Sequence, residues 1–75
     1  MVDLTLLEKT IAESGMTVVS VAKKSGILRE TLYNRLKGVG EFKASEISGL
    51  STALNLTSEK RDSIFFSKKR ELKST

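Results

Sequence analysis

The chain has 75 residues, a net charge of +4, one Tyr and three Phe, and neither Cys nor His. Without Cys there is no disulfide framework and no thiolate metal site; without His the commonest metal ligand and the usual general base are gone. This is one small domain that buries only about 60–65% of its unfolded surface, so Leu, Ile and Val must carry a thin core.

The first helix is predicted over residues 3–14, with Asp3 as N-cap and Leu4, Leu7 and Ile11 as an i, i+3, i+7 apolar stripe. Gly15 ends it, and Met16 packs as the link onward. Thr17 caps a second helix running to about residue 24, with Val21 and Ala22 inward. Val18 and Val19 are unusual there, because a short exposed helix calls for polar residues at those positions. At Gly26 the chain must turn sharply, and Ile27 drops into the core. A third helix spans residues 28–36, with Leu32 and Leu36 as its apolar pair and Gly38 closing it.

Phe42 anchors the following loop to the core. A fourth helix covers residues 44–54, with Ile47, Leu50 and Leu54 on one face, Asn55 as a left-handed terminator and Leu56 as a plug. Thr57 or Ser58 opens a fifth helix, in which Ile64 and Phe65 complete the core. Neighbouring residues on a helix point about 100° apart, so Phe65 and Phe66 do not both face that core. One ring is left for a partner surface, which would also draw on Val18 and Val19. Residues 67–75 form a basic tail that frays or extends the helix. There is no Pro, no hairpin pattern, no apolar run of about 18 residues and no signal-peptide pattern. The expectation is a soluble, all-α chain with no membrane partner.

Charge is distributed unevenly. In residues 17–43, Lys23, Lys24, Arg29, Arg35, Lys37 and Lys43 stand against Glu30 and Glu41. The tail adds Lys68, Lys69, Arg70 and Lys73 against Glu71, while the remaining segments are net acidic. Clustered Lys and Arg neutralise phosphates and release counterions. The basic segment coincides with two short helices joined at Gly26, the build of a helix-turn-helix that reads DNA. With no His, no Cys and no placed carboxylate pair, an enzyme is not expected, and no metal or cofactor is expected.

The spacing of Ala22, Gly26, Ile27 and Leu32, the TLYNRLKG run from Thr31 to Gly38, and the closing LNLTSEKRDSIFF stretch resemble the Cro/repressor-type (lambda-repressor-like) DNA-binding domains of temperate phages. The resemblance covers about residues 4–66. It implies a five-helix domain over residues 1–66 with a helix-turn-helix at helices two and three, in a protein of the bacterial cytoplasm. Its function would be that of a Cro-like repressor on a phage or prophage operator. The resemblance places Leu28, Arg29, Glu30, Tyr33 and Asn34 against base edges, with Arg suited to guanine, Asn to adenine and Glu to cytosine. Thr17, Arg35, Lys37 and Lys43 are placed for phosphates. Double-stranded DNA is the implied partner, and half-sites about one turn apart imply a homodimer on the operator.

Three positions depart from the family pattern: Val18 stands where Gln is common, Leu28 where Ser or Thr caps the helix, and Arg35 where an apolar residue is common. These departures, with Val19 and the spare Phe, support an alternative: a modulator that keeps the fold and docks on another regulator protein. The polar, mixed-sign outward face of residues 28–37 suits base edges better than an apolar protein groove.

Overall fold

A computed structural model describes residues 2–67, which form five helices: α1 (Leu4–Glu13), α2 (Val18–Ser25), α3 (Arg29–Leu36), α4 (Ala44–Ala53) and α5 (Ser58–Phe65). No strand occurs among the described residues, so the domain is all-α. The basic tail beyond Ser67, assigned to fraying or helix extension, lies outside the described residues.

Local chemistry sets most helix ends. The Asp3 carboxylate accepts from the Leu6 N–H at 3.0 Å, Thr17 Oγ1 from the Ser20 N–H at 3.1 Å, and Thr57 Oγ1 from the Lys60 N–H at 3.1 Å. Each satisfies a donor that a helix start would otherwise leave unpaired. At the other ends a repeated device appears. After α2, the Gly26 N–H donates to the Lys23 carbonyl and the Ile27 N–H to the Ala22 carbonyl. Gly26 is left-handed, with φ +77°, and Ile27 is buried as the chain reverses. This is a Schellman closure, and it fixes the angle at which α3 leaves α2. The same bonding closes α3 at Gly38 and α4 at Asn55, whose φ is +55°.

The core comprises Leu7 and Ile11 from α1, Val21 and Ala22 from α2, Ile27, Leu32 from α3, Leu50 from α4, and Ile64 and Phe65 from α5. Every helix contributes, and Met16, Leu36, Phe42, Ile47, Leu54 and Leu56 pack around the rim. The stripe on α1 is shifted from the expected one: Leu4 is only half-buried, and Leu6 packs on the core instead. Val18 also packs against the core, because the first turn of α2 lies beside α1 and α3. Its apolar character therefore has a packing reason; Val19, the next residue, is exposed. The start of α1 is tied to α5 by an Asp3 N–H bond to the Ile64 carbonyl at 2.7 Å.

Candidate functional site

The candidate surface is built on α3. Leu32 is its one buried residue, and that anchor decides the helix's rotation. Residues one, four and five positions apart then share the opposite face. Arg29, Glu30, Tyr33, Asn34 and Lys37 are all exposed and line one shallow, open surface. Among the described residues the ion pairs are Arg35 with Glu46 and Arg61 with Asp62. The charged groups of the α3 face, Arg29, Glu30 and Lys37, therefore stand in no ion pair among the described residues. Five side chains bearing both signs, an amide and a phenol are brought together with donors and acceptors turned to solvent.

Leu28 stands at the head of this face. It is the N-cap of α3, has extended backbone, makes no side-chain cap bond and is 77% exposed. A Leu here forgoes a cap worth about 1 kcal/mol and exposes an isobutyl group beside Arg29. Nothing within the fold makes use of it.

The residues assigned to phosphates divide. Thr17 is exposed at the start of α2, its hydroxyl engaged with the Ser20 N–H and Ser20 Oγ. Lys37 caps the end of α3 and Lys43 precedes α4, and both side chains are exposed. Arg35 departs from its assignment. Lying three residues after Leu32, it sits on the inward side of α3, and its guanidinium turns away from the exposed face. Nε donates to Glu46 Oε1 at 3.3 Å and Nη1 to the Val39 carbonyl at 3.3 Å. Both side chains of the pair are largely shielded, at 16% and 12% exposure. Arg35 thus fills the place of the apolar residue it replaces and is not available as an outward contact.

Glu46 was not singled out by sequence reasoning. It sits at the third position of α4, where a carboxylate reaches back to the N-cap N–H; Glu46 Oε1 accepts from the Lys43 N–H at 3.0 Å. That position was the available signal. The Lys43 ammonium has no acceptor lone pair, so only the Glu46 half of a reciprocal cap is made.

The residues assigned to a protein-partner surface do not form one patch. Phe65 is 3% exposed, its ring edge-on to Phe42 with centroids 5.4 Å apart, so it is core and not surface. Phe66 is 50% exposed and lies beside Val2, Leu4, Phe42 and Ile47. Val18 instead lines a separate, mainly apolar groove of about 430 Å³ between α1, α2 and α3, with Ile11, Met16, Tyr33 and Leu36. Tyr33 and Lys37 border both this groove and the polar face of α3.

Among the described residues no three His, Cys, Asp or Glu side chains gather as a metal site, and no helix is long and apolar enough to cross a membrane. Comparison with protein-family models, curated proteins and solved structures found no match to this chain.

Proposed function

We propose that this protein is a sequence-specific DNA-binding transcriptional regulator: a Cro-like repressor that inserts α3 in the major groove of a phage or prophage operator, in the cytoplasm of a bacterial host. The observation that carries this reading is the exposed face of Arg29, Glu30, Tyr33, Asn34 and Lys37, held on one helix by a buried Leu32 and free of ion pairing among the described residues. A major groove about 12 Å wide admits a helix of about 10–12 Å diameter. Arg29 then suits guanine O6 and N7, Asn34 suits adenine N6 and N7, and Glu30 accepts from cytosine N4. Lys37, Lys43 and Thr17 flank the helix as phosphate contacts, which position the domain without reading sequence. Two copies on half-sites about one helical turn apart complete the operator complex.

A second reading, a modulator that docks on another regulator protein, is supported by the apolar groove that Val18 and Tyr33 line. An amide NMR titration with a mixed-sequence duplex at two salt concentrations separates the two. DNA binding is expected to move Thr17 and residues 29–37, with an affinity that falls steeply as salt rises. If those amides stay still at low salt, the DNA reading is lost and the search turns to protein partners at the groove.

A further inference from the structure

The loop between α3 and α4 holds two of the proposed phosphate contacts, Lys37 at its start and Lys43 at its end. Its path is pinned at several points. The Val39 N–H donates to the Asn34 carbonyl, and the Val39 carbonyl accepts from Arg35 Nη1. Gly40 passes so close to the Arg35 guanidinium that a Cβ there would collide with Nη1. Glu46 Oε1 receives Arg35 Nε from one side and the Lys43 backbone N–H from the other. One carboxylate oxygen thus joins the inward side of α3 to the backbone of Lys43, and one guanidinium joins that oxygen to the middle of the loop.

We propose that Arg35 and Glu46 are positioning residues for DNA binding: together they set where Lys43 stands relative to the exposed face of α3, without touching DNA themselves. The pair is mostly shielded from water and each member makes a second hydrogen bond. It therefore holds a geometry better than an exposed ion pair, which contributes little. The inference rests on the DNA-binding reading above.

The sign of the effect on DNA affinity distinguishes positioning from simple charge. Glu46→Ala and Glu46→Gln each raise the net charge by the same amount, so bulk electrostatics makes both bind DNA tighter and equally. Gln keeps an acceptor oxygen for Arg35 and Lys43, whereas Ala keeps none. Ala is also a strong helix former, so the interior of α4 keeps its propensity, while the bond from the Lys43 N–H at its start is lost in the Ala protein and kept in the Gln protein. The three proteins are compared by heteronuclear NOE in the free state and by binding to a mixed-sequence duplex over a salt series.

The Ala protein is expected to lose NOE intensity in residues 38–43 while α1 and α2 are unchanged. It is expected to bind about fivefold more weakly than the Gln protein, with the slope of log K against log salt reduced by about 0.9 as the Lys43 phosphate contact is lost. If wild type binds DNA and the two variants bind equally, the positioning role is overturned and the DNA reading stands. If wild type fails to bind the duplex at low salt, both are overturned.

Discussion

Gly49 on α4 faces the backbone carbonyl of Ser25 at the end of α2, with no room between them for a side chain. A Cβ on Gly49 would collide with the Ser25 oxygen, and a backbone carbonyl cannot swing aside as a flexible side chain does. The close crossing of the two helices therefore depends on that missing atom. Gly49→Ala is expected to destabilise the domain by about 1–3 kcal/mol even though Ala is the better helix former. Exposed Ser48→Ala, next door, should be neutral or mildly stabilising. Thermal melts check both, since each kcal/mol moves Tm by roughly 4–8 °C in a domain of this size.

Leu28→Ser tests whether α3 begins with a residue kept for contact at the expense of the fold. Ser supplies the missing cap acceptor and removes an exposed apolar group. Stability should rise by about 0.5–1 kcal/mol, while affinity for a selected DNA site falls. A variant that is more stable and binds as tightly as wild type would leave Leu28 without a role at the interface.

Arg29 and Lys37 share one face and should fail differently. Replacing Arg29 by Ala is expected to cost about 1–3 kcal/mol on the preferred sequence and to relax preference at one base pair. Replacing Lys37 by Ala should weaken all duplexes alike and lower the salt slope by about 0.9. Binding measured on a site, on its single-base variants and across salt gives both quantities. Loss of sequence preference in the Lys37 variant, with none in the Arg29 variant, would reverse the assignment.

Phe65 and Phe66 are adjacent in sequence but opposite in role. Phe65→Ala removes a buried ring that meets Phe42 edge-on, and is expected to cost about 3–5 kcal/mol, enough to unfold much of a small domain. Phe66→Ala should shift stability by about 0.5 kcal/mol or less. Denaturant unfolding of the two variants under one set of conditions is sufficient; similar losses would place both rings in the core.

By itself the sequence determined the number, order and ends of the five helices, because those signals act over a few residues. Asp3, Thr17 and Thr57 cap from their own positions, Gly26 and Asn55 take left-handed backbone, and the apolar stripes repeat within single helices. The exposed face of α3 was legible for the same reason: once Leu32 is assigned to the core, Arg29, Glu30, Tyr33, Asn34 and Lys37 follow from helical spacing. Only the tertiary structure decided the rest. It turned Arg35 inward onto Glu46, packed Val18 beside α1 and α3, and required Gly49 against Ser25. Each of these outcomes depends on which helix lies across the position, and no caps or periodicity within a single helix record how two helices cross.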